Sequence, residues 1–182
     1  MPTEFLGLPL HPLAVHLPVV FVPLLGLFAA AYALVPKVRR NIGWAVVALA
    51  VIAPVVAFAA KLSGQNLAGQ RLEEMRESPE AAQAAATSFN DHSQYGDVLV
   101  WLVLALAIGA LVHAGLASRR LDAFARTRKI GPAGSWLGAD EPAGSTRGIV
   151  MIVLGAVLVI LAVASCWYVF KAGHTGAEML WG

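Results

Sequence analysis

The chain has 182 residues, of which 58% are hydrophobic and only 13% are charged. A water-soluble domain carries about 25% charged residues, so this composition excludes a cytosolic enzyme, a nucleic-acid-binding module and a disordered chain. The net charge of +2 does not indicate a polyanion partner, because the basic residues are distributed along the chain rather than gathered in one patch. The composition therefore predicts an integral membrane protein that contacts the lipid bilayer and no nucleic acid.

Four apolar stretches are long enough to cross a bilayer as helices, which takes about 20 residues each. Helices are expected rather than strands, because every backbone polar group in lipid must be paired within its own segment. No basic residue precedes the first stretch, so it is not expected to be a cleaved signal peptide. We therefore predict an all-α fold, in which residues 1–182 form a single integral membrane four-helix bundle. The predicted helices cover about 9–35, 42–60, 98–117 and 149–170.

The two long connections differ in composition. Residues 61–97 are predicted to be an outer loop that contains a short helix, because Ser78, Pro79 and Glu80 are typical of a helix start. Residues 118–148 are predicted to be a cytoplasmic loop, and their last part is rich in Gly, Pro and Ser, as in flexible connectors. The sequence shows no evident internal repeat.

The basic residues predict the orientation of the bundle. Nine of the 13 Lys and Arg residues fall in the first-to-second and third-to-fourth connections, and most acidic residues fall on the opposite side. Short cytoplasmic loops carry an excess of Lys and Arg. Both termini and the 61–97 loop are therefore predicted to lie on the non-cytoplasmic side of a bacterial inner membrane.

The sequence contains none of the common catalytic motifs. It lacks the P-loop, GxSxG, HExxH and CxxCH patterns, and its single cysteine, Cys166, lies in an apolar run. No charged residue lies within a predicted span, so we expect no enzymatic activity. The residues that remain as candidates for a functional site are histidines.

His16 is the histidine expected deepest in the membrane. It lies in the apolar run LAVHLPVVFVPLL, where a polar side chain is costly and usually faces the interior of a bundle. It is therefore a candidate ligand, and the alternative is a polar contact between helices. His11 lies five residues earlier, about 140° away around an ideal helix, so the two histidines share a ligand only if the prolines around them bend the backbone.

The other histidines are expected near the membrane surfaces. His92 precedes the third span and His174 follows the fourth, both on the same side as His11 and His16. Gly173 and Gly176 are expected to let the C-terminal tail turn back over the bundle. His113 is expected to reach the cytoplasmic interface beside two arginines.

These residues resemble a known family. The opening GLPLHPLAVHLPVV, the LSG sequence after the second span, the histidine before the third span and the ending GHTGAEMLWG are similar to the bacterial membrane family called domain of unknown function 2231. Members of that family are often fused to Rieske or cytochrome c domains, which implies a redox role. The residues that match the family's histidines are His11, His16, His92 and His174.

Three function classes remain open. In the first, two histidines bind one b-type haem near the outer surface, with His16 and either His92 or His174 as the favoured pair. In the second, the same histidines bind copper or zinc, and Met179 adds a soft ligand. In the third, the protein has no cofactor and is a structural subunit or assembly factor. The first class predicts electron transfer with a redox protein or a respiratory complex on the outer face.

Overall fold

A computed structural model describes residues 4–5, 8–128 and 146–181. The described part begins with a short antiparallel hairpin, in which β1 (Glu4–Phe5) pairs with β2 (Leu8–Pro9). Five α-helices follow, and a 3₁₀ turn over Pro36–Val38 joins the second to the third. The helices are α1 (Leu10–Ala14), α2 (His16–Leu34), α3 (Arg39–Glu74), α4 (Pro79–Arg128) and α5 (Thr146–Trp181).

Four segments of the described chain have the length and composition of membrane spans: Leu10–Leu34, Pro36–Glu74, Pro79–Ala117 and Gly148–Met179. The prediction of four long apolar helices is therefore confirmed. Helix α2 packs against α3 and α5, and α4 packs against the same two helices. Helices α2 and α4 consequently lie diagonally opposite each other in a four-helix bundle.

Two of the helices are much longer than a bilayer requires. Helix α3 has 36 residues and α4 has 50, or about 54 Å and 75 Å at 1.5 Å per residue, whereas the hydrocarbon core is about 30 Å thick. The segment 61–97, predicted as a loop with a separate short helix, is helical except for a turn at 75–78. The reason is its content of Ala, Gln, Glu and Leu, which favour helix. Pro79 does begin a helix, but this helix continues into the third span.

The ends of the other predicted connections also differ from expectation. Helix α4 continues to Arg128, so part of the predicted 118–148 loop is helical, and residues 129–145 lie outside the described part. Helix α5 continues through Gly173 and Gly176 to Trp181 instead of turning back. Glycine costs a helix about 1 kcal/mol relative to alanine, which the packing of this segment offsets.

A proline sets the direction of the first histidine. Pro18 has no N–H to donate to the carbonyl of Ala14, and the helix is interrupted between Ala14 and His16. The chain nevertheless continues in the same general direction, because Val15 N–H donates to the carbonyl of His11 (3.0 Å). The interruption separates α1, which carries His11, from α2, which carries His16.

Small side chains fill the inside of the bundle and large apolar ones cover its outside. The core includes Val22, Ala29, Ala53, Ala110 and Ala162, all nearly inaccessible. On the outside, Leu27 is 64% exposed and Trp101 is 69% exposed. A soluble protein does not expose apolar side chains on this scale, whereas small residues at helix contacts and large ones towards lipid are typical of membrane bundles.

Tyr32, Arg39 and His113 form a cluster that we call the arginine end of the bundle. The Arg39 guanidinium donates from Nε to the carbonyl of Tyr32 (2.8 Å) and from an Nη atom to that of Ala33 (2.9 Å), so it caps the last turn of α2. It also lies over the Tyr32 ring, 5.7 Å from the ring centre.

His113 belongs to this buried cluster, so the expectation that it reaches the interface is wrong. It is 1% exposed, and its ring meets the Tyr32 ring edge to face at 5.8 Å. The physical reason is that α4 continues for 15 residues beyond His113, which keeps this position on the buried face of the helix with Leu106 and Ala110.

Tryptophan fluorescence tests which surface faces lipid. In variants that keep only Trp101 or only Trp167, brominated acyl chains should quench the emission strongly, because these side chains are 69% and 58% exposed on the apolar outside. Acrylamide, a water-soluble quencher, serves as the control and should have a weak effect. Stronger quenching by acrylamide than by brominated lipid would contradict a lipid-facing position.

Candidate functional site

His11 and His92 meet at the end of the bundle opposite to the arginine end. Their ring centres are 6.0 Å apart and the ring planes are nearly perpendicular, at 81°. His11 is carried by α1 and His92 by α4, and both are half-buried. With Ser63 of α3 and Thr175 of α5, they form what we call the histidine end.

Helix α3 fixes the ring of His11. His11 Nδ1 lies 3.1 Å from the carbonyl oxygen of Ala60 and 3.1 Å from Ser63 Oγ. The Ser63 hydroxyl donates its own proton to the Ala60 carbonyl (2.8 Å). Because that carbonyl can only accept, the network assigns the proton of His11 to Nδ1. Nε2 of His11 is then left with a free lone pair.

Helix α5 fixes the ring of His92 in the same way. His92 Nδ1 lies 3.0 Å from Thr175 Oγ1. The Thr175 hydroxyl donates to the carbonyls of Lys171 (3.0 Å) and Ala172 (3.3 Å) one turn earlier. Its oxygen therefore accepts from Nδ1–H of His92, and Nε2 again keeps its lone pair. None of the described residues makes a hydrogen bond to Nε2 of either histidine.

A glycine beside each hydroxyl makes room for each ring. A methyl group added at Gly64 would lie 2.9 Å from His11 Cε1, and one added at Gly176 would lie 3.1 Å from His92 Cε1. Both distances are shorter than ordinary van der Waals contact. The rings therefore pack directly against the backbones of α3 and α5, and a larger residue at either position would displace them.

Charged and aromatic contacts hold the long helices together around this pair. Lys61 of α3 forms an ion pair with Asp97 of α4 (3.0 Å). Tyr95 of α4 lies beside Tyr168 of α5 at 6.2 Å, and the Lys171 ammonium lies 5.9 Å from the Tyr95 ring centre. These contacts connect α4 to both of its neighbours within about one turn of His92 and Thr175.

His16, the deepest candidate by sequence, does not face the bundle interior. It is exposed on the outside of α2, and its Nδ1–H donates to the carbonyl of Pro12 (2.7 Å). The expectation of an inward-facing His16 is therefore wrong. The reason is the helical angle that separates it from His11, because the interruption before Pro18 does not bring the two side chains onto one face.

His174 also points away from the pair. Its Nδ1 lies 3.3 Å from a carboxylate oxygen of Glu178, and its ring packs beside Phe170. The neighbouring residue, Thr175, is the one that faces His92. Met179 lies one turn beyond Thr175 on the same face of α5.

Of the four sequence candidates, His11, His16, His92 and His174, the structure therefore brings two together. Within the described part of the chain, no group of three or more His, Cys, Asp or Glu residues is arranged to hold a metal ion. A zinc site of the usual kind needs four ligands. The pair instead offers two imidazole nitrogens, each oriented by a hydrogen bond from the other nitrogen of its ring.

Sequence reasoning missed the residues that orient the histidines: Ser63, Gly64, Thr175 and Gly176. A signal for them was present, because a hydroxyl residue followed by glycine occurs near the same end of the second and fourth spans, in LSG and HTG. The partners of these dipeptides lie about 50 and 80 residues away along the chain. The sequence alone does not pair such distant positions.

Glycine substitutions test the packing of the rings. Gly64→Ala and Gly176→Ala should lower the thermal stability of the detergent-solubilised protein, because each new methyl group meets an imidazole. Overpacking typically costs about 1–3 kcal/mol. The matched controls are Gly69→Ala and Gly173→Ala, where a methyl group meets nothing within 4 Å. These should leave stability unchanged or raise it, and equal effects in all four variants would contradict the proposed ring positions.

Comparison with known proteins gives a family. A family model described as Predicted membrane protein (DUF2231) matches residues 7–182. No curated protein and no solved structure matches the chain. The match includes all of the residues at the histidine end.

Proposed function

The chain belongs to the DUF2231 family of predicted membrane proteins, and we propose that it binds one metal centre through Nε2 of both His11 and His92. The observation that carries this proposal is the hydrogen bonding of the two Nδ1 atoms. Metal-bound histidines almost always donate the other ring N–H to a carbonyl, a carboxylate or another oxygen, which fixes the ring for the metal. Both histidines have this arrangement.

The separation of the rings supports a shared centre. An imidazole nitrogen binds a metal at about 2 Å, and each nitrogen lies about 1 Å from its ring centre. Two imidazoles that bind one ion from opposite sides therefore have ring centres about 6 Å apart. The observed distance is 6.0 Å.

Two metal centres have the chemistry that a pair of imidazoles satisfies. The iron of a b-type haem needs two axial ligands, and a copper ion accepts imidazole ligands in low numbers. The small residues on α3 and α5 beside the rings, Ala60, Gly64, Ala172 and Gly176, suit a planar macrocycle. Met179, one turn beyond Thr175, would supply a thioether to a copper ion.

A bound iron or copper centre supplies one-electron redox chemistry, since each metal has two oxidation states that differ by one electron. The chain itself would hold the metal, orient both ligands and exclude water from the sides that α3 and α5 cover. The electron would come from, and be passed to, a separate redox protein or a respiratory complex at the histidine end. No catalytic role is proposed for the protein.

We further propose that the histidine end lies on the non-cytoplasmic side of a bacterial inner membrane. The distribution of Lys and Arg supports this orientation. The turn between α3 and α4 is on the histidine side of the bundle, and it carries Arg71–Glu74 and Arg76–Glu73 ion pairs. A partner on that side would meet long helical extensions rather than a flexible loop.

Histidine variants test the metal site. The protein purified in detergent should contain about one equivalent of haem or copper, and His11→Ala and His92→Ala should each remove most of it. His16→Ala and His174→Ala are matched controls, because they remove exposed imidazoles outside the pair, and they should retain the metal. Circular dichroism and gel filtration on each variant establish that the bundle still folds.

The two sources of the metal give different signals. A haem shows a Soret absorption band, whereas copper appears in elemental analysis without that band, and copper binding should weaken in Met179→Leu. Loss of metal in His16→Ala but not in His11→Ala would contradict the proposed pair. A wild-type protein without haem, copper, iron or zinc would refute the metal proposal and leave the structural-subunit alternative.

Reporter fusions test the orientation. A fusion within residues 131–144 should report the cytoplasm, and fusions within the turn at residues 75–78 or after the C-terminus should report the opposite side. The reason is the excess of basic residues in the 118–148 connection. A cytoplasmic signal from the C-terminal fusion would place the histidine end on the cytoplasmic side.

A further inference from the structure

The buried positions of α2 and α4 coincide when the chain is shifted by 81 residues, the separation between His11 and His92. Each of the six buried residues of α2 then matches a buried residue of α4. The pairs are Pro18 and Leu99, Val22 and Val103, Leu25 and Leu106, Gly26 and Ala107, Ala29 and Ala110, and Tyr32 and His113.

Helices α3 and α5 coincide in the same way when the chain is shifted by 112 residues, the separation between Gly64 and Gly176. Four buried residues of α3 then match buried residues of α5. These pairs are Val46 and Leu158, Ala50 and Ala162, Ala53 and Ser165, and Ala57 and Val169. The same shift matches Ala60 with Ala172 and Ser63 with Thr175.

The contacts repeat together with the burial. His11 bonds to the hydroxyl of α3 and packs on the following glycine, and His92 does the same on α5. The Ser63 hydroxyl donates to the carbonyl three residues earlier, that of Ala60, and the Thr175 hydroxyl to the matching carbonyl of Ala172. The α1–α2–α3 segment and the α4–α5 segment are thus built alike.

Matched residues also touch each other, and they do so at both ends of the bundle. His11 meets His92 at 6.0 Å and 81°, and Tyr32 meets His113 at 5.8 Å and 80°. In a two-fold symmetric arrangement, a residue contacts its own equivalent only on the symmetry axis. Both ring pairs therefore mark the same axis, which runs along the length of the bundle.

We infer that the chain is a tandem duplication of one two-helix unit, 10–74 and 79–181, with the histidine pair on the two-fold axis between the units. Repeats related by an axis along the membrane normal are a known way of building membrane proteins. The two shifts differ by 31 residues, which lie in the longer connection between α4 and α5. The absence of an evident repeat in the sequence is corrected by this placement.

The duplication assigns equivalent roles to Ser63 and Thr175 as positioning residues of the two half-sites. This part rests on the proposed metal function. It also makes Tyr32 and His113 the second layer on the axis, in which the two units have diverged. Neither ring nitrogen of His113 has a hydrogen-bond partner among the described residues, and no hydroxyl matching Ser63 or Thr175 orients its ring, so this layer lacks the features that prepare a histidine for a metal.

Disulfide cross-linking tests the axis without any metal. A methyl group added at Gly26 would lie 3.2 Å from Ala162 Cβ, which is close to the Cβ separation in a disulfide, about 3.8 Å. The two shifts carry this contact onto Ala107 and Ala50. In a Cys166→Ala background, the pair Gly26→Cys with Ala162→Cys and the pair Ala107→Cys with Ala50→Cys should both cross-link on oxidation.

The control is Ala107→Cys with Ala57→Cys, which lies two turns out of register and should not cross-link. Failure of the Ala107 and Ala50 pair, or cross-linking of the control, would overturn the duplication. This result does not depend on whether the protein binds a metal, so it is distinct from a failure of the metal proposal.

Exchange of the two hydroxyl residues tests the equivalence of the half-sites. The double variant Ser63→Thr with Thr175→Ser should keep the metal content and absorption spectrum of the wild type. Ser63→Ala and Thr175→Ala should each lower metal affinity by a similar factor, about 10–100-fold as for other residues that orient metal ligands. A large loss in only one of the two alanine variants, or in the exchange variant, would overturn the equivalence.

Discussion

The requirement that a buried polar group find a partner inside the protein governs the histidine end. An imidazole at the membrane boundary loses water when it is packed between helices, and the loss is costly unless its nitrogens are hydrogen-bonded. Ser63 and Thr175 satisfy Nδ1 of the two histidines, and both hydroxyls are themselves bonded to carbonyls of their own helices. These bonds decide which face of α1 and α4 is buried, and hence the register of the four helices.

Close approach of the helices depends on the absence of side-chain volume. Gly64 and Gly176 let the rings reach the helix backbones, and Gly26 lets α2 pack against Ala162 of α5. In lipid, apolar side chains gain little by leaving the surface, so packing of small residues is the main source of helix association. The same small residues form the walls beside the histidine pair, so stability and ligand geometry have one origin.

The two-unit construction explains why the histidine end can bind a centre with equivalent bonds from both sides. A site on a two-fold axis receives the same group from each unit, and the two imidazoles, hydroxyls and glycines fit this pattern. At the arginine end the units differ. Tyr32 stands where the other unit has His113, and Arg39 caps α2 above the Tyr32 ring. The two ends of one axis therefore have different chemistry.

The sequence by itself determined that the chain has four apolar helices, because length and hydrophobicity are local properties that lipid selects directly. It also determined that chemistry in this protein rests on histidines. It did not determine which ones, since the depth of His16 in an apolar run gives no information on the face of the helix that carries it. The direction of a side chain depends on helical phase, and the interruption before Pro18 fixes that phase only together with the packing of α1 on α3.

Only the tertiary structure decided that His11 and His92 form the pair. Their partners, Ser63 and Thr175, lie on other helices and far away in the sequence, and the unequal shifts of 81 and 112 residues hide the repeat from inspection of the chain. The reason is physical: composition acts on each segment separately, whereas a site on an axis exists only when two segments from different units are packed face to face.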